Sequence, residues 1–179
     1  MIRLRELKVS DAPYMLEWMH DPCVQRCFRK DMLGITLEQA QEFCRNSVIP
    51  SKLKTGDDIH FAIVDENDEY LGTISLKKVD LENKKAEYAV TTRQKTRGTG
   101  AAFKATGDLL KKAFREYGLH RVYLNVFADN QIAIKFYEKC GFKYEGEFRE
   151  HLLINQEYKS WKWYGILDSE YNEGVFGIK

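Results

Sequence analysis

The sequence has no charge excess, no membrane-length apolar run and no leader-like segment, and each absence removes a class of function. Lys and Arg number 28 against 27 Asp and Glu, a formal net charge of +1. A nucleic-acid binder normally carries a strong basic excess, so no nucleic-acid partner is expected. No apolar stretch approaches the roughly 20 residues of a membrane helix, so no membrane partner is expected either. Met1-Ile2-Arg3-Leu4-Arg5 alternates like a strand where a signal peptide would place an apolar block. Only four cysteines occur, Cys23, Cys27, Cys44 and Cys140; without a secretory signal, reduced thiols and a cytoplasmic location are the default. Repeats, low-complexity tracts and linkers are missing too.

What is present is globular. The chain has 179 residues, 44% hydrophobic and 31% charged, enough for one domain around one core. Ten Tyr and ten Phe supply rings for its interior. Residues 2–7 read as a first strand. Ser10 is placed to cap a helix ending near Met19, with Asp11 at its positive end and Pro13 in its first turn. Asp21-Pro22 ends it, and residues 23–35 stay unassigned. Thr36 is placed to cap a second helix through about Ser47. A three-strand meander follows: His60 to Val64, Tyr70 to Val79 and Lys85 to Thr92. A long amphipathic helix is expected from about Gly100 to Tyr117, with Gly118 as its stop. Residues 120–126 read as a strand, Asn130 opens a short helix to Cys140, and strands near 142–149 and 157–167 close the chain. This order predicts an α/β (α+β) fold on a mixed sheet.

The most informative stretch is Val90-Thr91-Thr92-Arg93-Gln94-Lys95-Thr96-Arg97-Gly98-Thr99-Gly100-Ala101-Ala102. A strand feeds a glycine-containing loop that opens a long helix. Helix N-termini leave N–H groups unpaired and carry partial positive charge. Small residues let an anion approach them, and Arg93, Lys95, Arg97 and Lys104 add positive side chains nearby. The loop therefore suits a phosphate or diphosphate, or is simply a well-capped turn. It lacks the Gly-Lys-Ser/Thr of an ATP loop and the Gly-x-Gly-x-x-Gly of a dinucleotide fold.

Arg97-Gly98-Thr99-Gly100-Ala101-Ala102 resembles the (Gln/Arg)-x-x-Gly-x-(Gly/Ala) signature of GNAT acetyltransferases. Asn130-Gln131-Ile132-Ala133-Ile134-Lys135-Phe136-Tyr137-Glu138-Lys139-Cys140-Gly141-Phe142 is similar to the family's Asn-x-x-Ala-x-x-x-Tyr-x-x-x-Gly-Phe, one strand later. The Gly72-Thr73-Ile74-Ser75-Leu76 and Ala86-Glu87-Tyr88 strands and the Glu145 to Arg149 segment resemble the branch that holds ribosomal-protein N-terminal acetyltransferases, with polyamine and amino-sugar acetyltransferases close beside it. The resemblance runs from residue 1 to about 168; residues 169–179 read as a polar, peripheral tail. It implies a mostly antiparallel sheet of about seven strands with about four helices. It implies acetyl-CoA as acyl donor, with the amides of Gly98, Thr99, Gly100, Ala101 and Ala102 and the Arg97 side chain on the pyrophosphate. It further implies pantetheine between strand 87–92 and strand 123–126, touching Val90, Thr92, Asn130 and Tyr137, with the Val90 N–H facing the developing oxyanion.

Transfer needs a neutral amine and a proton for the departing thiolate. Tyr137 is the candidate acid, or else a core ring beside Phe136. Glu87 is the candidate base through water, or else half of an ion pair; His120 and His151 are its rivals. Cys140 lies at a helix C-terminus, where the dipole opposes a thiolate, so a covalent cysteine route is not expected. His20, Cys23 and Cys27 lack a fourth ligand at metal spacing, so no metal is expected. Trp161 and Trp163 share one face of a strand, as core, as an acceptor platform or as a homodimer contact. Three functions fit: an acetyltransferase for a small-molecule or nucleotide-sugar amine, which is favoured; a protein N-terminal acetyltransferase; and a non-catalytic acyl-CoA-binding module.

Overall fold

The computed structural model describes residues 1–28 and 31–177. Parts of the unassigned stretch 23–35 (Arg29 and Lys30) and of the tail (Ile178 and Lys179) lie outside the described residues.

Seven strands form one sheet in the order β1-β2-β3-β4-β5-β7-β6. They are β1 (Arg3–Glu6), β2 (Ile59–Val64), β3 (Tyr70–Asp80), β4 (Lys85–Thr92), β5 (Arg121–Phe127), β6 (Lys143–Ile154) and β7 (Glu157–Leu167). The β4–β5 pair is parallel and every other neighbouring pair is antiparallel. Parallel neighbours need a crossover, and α4 (Ala101–Lys111) supplies it. The helices before it are α1 (Ala12–Met19), the single turn α2 (Pro22–Gln25) and α3 (Leu37–Asn46); α5 (Gln131–Lys139) follows β5.

Both faces of the sheet are covered, so β2 is buried almost throughout rather than alternating inside and outside. Ile59, Phe61 and Ile63 join the core under α4 and α5, whereas Ala62 and Val64 pack with Met15, Trp18 and Cys44 of α1 and α3. Leu109 and Leu110 of α4 are wholly buried, worth about 2 kcal/mol each in surface removed from water.

Three expectations need correction. Ser10 does not cap α1: residues 9–11 form a 3-10 turn, and the buried Asp11 carboxylate holds Arg5 at 2.7 and 2.9 Å and the Lys8 N–H at 2.8 Å. The helix expected through Tyr117 is α-helical only to Lys111, then widens so that the Tyr117 N–H reaches the Lys112 carbonyl at 2.9 Å. The tail after 168 is not peripheral. Tyr171 and Phe176 are buried in the main core, and the Tyr171 hydroxyl donates to the Gly107 carbonyl at 2.9 Å. A Cβ on Gly107 would overlap the Phe176 ring, so the glycine admits the tail.

Candidate active site

The site begins where β4 leaves β5. Parallel pairing covers only Lys85–Arg121, Ala86–Val122 and Glu87–Tyr123, although both strands continue for several residues. Alternation along β4 fixes what faces the resulting gap. The Arg121 N–H reaches the Lys84 carbonyl at 3.0 Å on the β5 side, and the Arg93 N–H reaches the Leu71 carbonyl at 2.9 Å on the β3 side. The main-chain groups of Tyr88, Val90 and Thr92 therefore turn toward β5, past the point where pairing stops.

The glycine loop lies at the open end of this gap. Arg97, Gly98, Thr99 and Gly100 are exposed, so no side chain roofs the loop. Gly98 and Gly100 have φ of 79° and 83°, a region where a side chain is strained. The first helical bond of α4 joins the Lys104 N–H to the Gly100 carbonyl at 3.0 Å. Of the three amides before it, only that of Ala101 has an acceptor among the described residues, Thr99 Oγ1 at 3.3 Å. Unpaired amides at the positive end of an 11-residue helix are what an anion seat requires.

The positive side chains divide differently than expected. Arg93 is buried and turned away, held by Glu17 at 2.7 Å and Glu69 at 2.8 Å, and Lys95 also pairs with Glu69. Arg97 stays at the loop, on Asp21 at 2.5 Å, and Lys104 is half-buried one turn into α4. Asp21 caps α2 by accepting from the Cys23 N–H at 2.8 Å. The α2 turn thus leans on the glycine loop, and Cys27, two residues past its end, receives the Asn130 side-chain amide at 3.2 Å. Asn130 also caps α5, its Oδ1 accepting from the Ala133 N–H at 3.2 Å.

Tyr137 of α5 stands edge-on to Tyr88 of β4, ring centres 6.0 Å apart, with Phe136 and Phe142 as further ring neighbours. Burial pushes its phenol far above the ordinary range, so it keeps its proton. Tyr88 is tied through Thr106 Oγ1, at 2.7 Å, to the first turn of α4, where Thr106 donates to the Ala102 carbonyl at 2.7 Å. Glu87 occupies the last paired position before the gap and is ion-paired to Lys78 at 2.7 Å.

On the other face of the sheet a pocket of about 690 Å³ opens onto Ala89, Val90 and Thr91 of β4. Trp18, Phe28, Met32 and Phe43 wall it, and Thr73, Ser75 and His60 line it from β3 and β2. His60, Ser75 and Ala89 form one cross-strand row, and His60 Nδ1 lies 2.7 Å from Ser75 Oγ. Burial lowers the His60 pKa and Lys77 adds to the effect, against the opposing charge of Asp58. Sequence reasoning missed His60 because it reads there as one residue of a strand. It becomes legible only through the register that puts it in a row with β4.

The other candidates lie elsewhere. His120 is exposed at the start of β5, with its N–H on the Lys84 carbonyl at 2.6 Å. His151 is exposed on the β6–β7 hairpin against Phe148 and Trp161. Trp161 and Trp163 are half-buried between Phe127, Tyr123 and Phe148. Burial raises the Cys44 thiol to about 11 and that of Cys140 to about 12, too high for a ready thiolate. The His20 ring is engaged at the Ile35 carbonyl, 2.8 Å away, and no three His, Cys, Asp or Glu among the described residues converge as metal ligands. No helix among them is long and apolar enough to cross a membrane.

The profile of the acetyltransferase (GNAT) domain matches residues 2–143, from β1 to the start of β6. A spermidine N(1)-acetyltransferase of Vibrio cholerae is 31% identical over 111 residues, 62% of this chain and 64% of that protein. A putative ribosomal N-acetyltransferase of Bacillus subtilis is 31% identical over 100 residues, 56% of this chain and 55% of that protein. The crystal structure of spermidine N-acetyltransferase from Vibrio cholerae in complex with CoA and spermine shares the fold, with a TM-score of 0.80 at 23% identity over 95% of this chain and 97% of that one. With that profile matching well over half its length and both signature segments meeting at one gap in the sheet, the chain belongs to the GNAT acetyltransferase family and is an acetyl-CoA-dependent N-acetyltransferase.

Proposed function

We propose that this enzyme acetylates a small-molecule primary amine, bound in the pocket between α1, α3 and β2–β4, by direct attack in a ternary complex. The observation that carries this reading is that the pocket opens on Ala89–Thr91 of β4, the stretch that has lost its β5 partner. Donor and acceptor would thus reach the same three residues from opposite sides. The spermidine acetyltransferases among the relatives are named for a small-molecule amine, which supports the same acceptor class.

In this reading the stretch from Gly98 to Ala102 holds the pyrophosphate, the Thr99 and Ala101 amides exchanging their 3.3 Å internal bonds to the Thr96 carbonyl and Thr99 Oγ1 for it, and Arg97 adds its charge. Val90 and Thr92 offer main-chain partners along the donor's arm, and Asn130 borders the same gap. Acetyl-CoA, when bound, supplies the thioester. The Val90 N–H donates to the carbonyl oxygen as negative charge builds there, in a place fixed by the strand before reaction begins. Tyr137 Oη gives its proton to the departing thiolate. Its raised pKa suits a group that must stay protonated at neutral pH. Two groups are candidates to take the amine's proton. Glu87 stands at the closed end of the gap, through water and in competition with Lys78. His60 lines the pocket itself, neutral, with Nε2 free to accept in the tautomer whose Nδ1–H donates to Ser75 Oγ.

We place the enzyme in the cytoplasm, where its four unpaired thiols stay reduced. We also assign the exposed Phe148, Leu153 and Tyr158 of the hairpin to a homodimer contact, to be checked by sedimentation. The test of function is CoA thiol release from acetyl-CoA across peptides, polyamines, amino sugars and simple amines. Release with amines above the background hydrolysis rate supports the reading. Release with peptides alone would move the enzyme to the protein N-terminal class.

A further inference from the structure

The lining of the acceptor pocket speaks to the kind of amine it takes. Its walls are Trp18, Phe28, Met32 and Phe43, with Met15 and Met19 behind them. Trp18 and Phe28 stack at 6.2 Å, and Phe43 tilts over the His60 ring at 4.8 Å. Charge is sparse and balanced: among the described residues, Asp31 and Lys77 are the two formally charged ones in the lining, of opposite sign. None of the side chains of the four undescribed residues, Arg29, Lys30, Ile178 and Lys179, is a carboxylate.

The polar groups are largely engaged within the protein. Thr73 Oγ1 lies 2.7 Å from the Tyr70 hydroxyl, which accepts from Trp18 Nε1 at 3.0 Å. Ser75 Oγ is taken by His60. Asp31 is exposed at the rim and uses one oxygen on the Leu33 N–H at 2.9 Å. One rim carboxylate can draw in one ammonium. It cannot compensate the desolvation of the two or three that remain on spermidine or spermine once the reacting amine is neutral, and Lys77 repels each of them.

We infer that the acceptor is a monoamine on an apolar, ring-sized body, its amine directed at Ala89–Thr91 and its body against Trp18, Phe28, Met32 and Phe43, and that extended polyamines are poor substrates. This rests on the pocket's being the acceptor site, as proposed above. Aromatic walls around a cavity of this size bury a compact apolar ligand well, with a few polar groups fixing its orientation.

The test compares kcat/KM for 2-phenylethylamine and tryptamine with that for spermidine and spermine, using the full chain and acetyl-CoA and following thiol release. At least a tenfold preference for the ring-bearing monoamines is expected. Equal or better turnover of spermidine would overturn the class while leaving the small-amine reading intact. Thiol release with peptides but with neither amine set would overturn both. A specificity variant guards against coincidence: Met32→Glu, checked for unchanged melting, adds a carboxylate to the wall. It should shift the ratio at least tenfold toward spermidine, and an unmoved ratio would sink the assignment of this pocket.

Discussion

At the residue scale the proposal separates groups by what they do to the two kinetic constants. Tyr137→Phe keeps the ring among Tyr88, Phe136 and Phe142 and removes only the hydroxyl. It should lower kcat by about 100-fold while acetyl-CoA affinity, measured by calorimetry, stays within about threefold. An unchanged kcat would return Tyr137 to a purely packing role. Glu87→Gln and His60→Gln separate the two bases: the true one should cost about 100-fold in kcat/KM at neutral pH and remove the acidic limb of its pH profile. His60 carries a stability signature as well. Its folded pKa is depressed, so the unfolded chain binds the proton more readily; the contribution is present above the usual 6.5 and is lost as pH falls below it. The melting temperature should therefore fall less between pH 7 and pH 5 in His60→Gln than in the parent.

At the scale of elements, the proposed donor slot depends on where β4 is held. Gly72 of β3 faces Thr92, and a Cβ there would overlap the Thr91 carbonyl oxygen and meet Thr92 Cα at 2.8 Å. Both obstacles are backbone and cannot swing aside. Gly72→Ala should push β4 at its open end, destabilise by about 1–3 kcal/mol and raise the KM for acetyl-CoA. A rise in KM without loss of stability would mean that the strand yields freely. The tail is an element in its own right: Phe176 packs on Phe103 at 4.8 Å and fills the space above Gly107. Phe176→Ala should cost about 3 kcal/mol, or about 6–12 °C in Tm for a chain of this size, by thermal denaturation. A peripheral tail would show almost no change.

At the scale of the whole molecule, binding and stability are linked. A donor seated on the amides of α4, the Arg97 side chain and the β4 edge binds only the folded chain, so saturating acetyl-CoA should raise Tm by several degrees, reflecting about 2.7 kcal/mol at 100 times Kd. Arg97→Glu should abolish most of that shift, placing a second acid beside Asp21 at the loop. A full shift in this variant would remove Arg97 from the donor site.

The strand spans of the meander, the Thr36 and Asn130 caps and the two signature segments were legible from sequence, because alternation, capping and glycine at positive φ are local properties of a few neighbouring residues. The glycine loop as a candidate anion seat followed for the same reason: unpaired amides belong to any helix N-terminus. Which basic side chains attend it was not local. Arg93 and Arg97 look equivalent in the chain, yet Glu17 and Glu69, from distant segments, turn one of them away. The tail looked polar because its two anchoring rings have no periodic pattern to reveal a face; only the groove at Gly107 decides that they are buried. The pocket was invisible for a related reason. Its walls come from α1, the segment after α2, α3 and three strands, and His60 joins it through the β2–β3–β4 register, a pairing that no stretch of sequence contains.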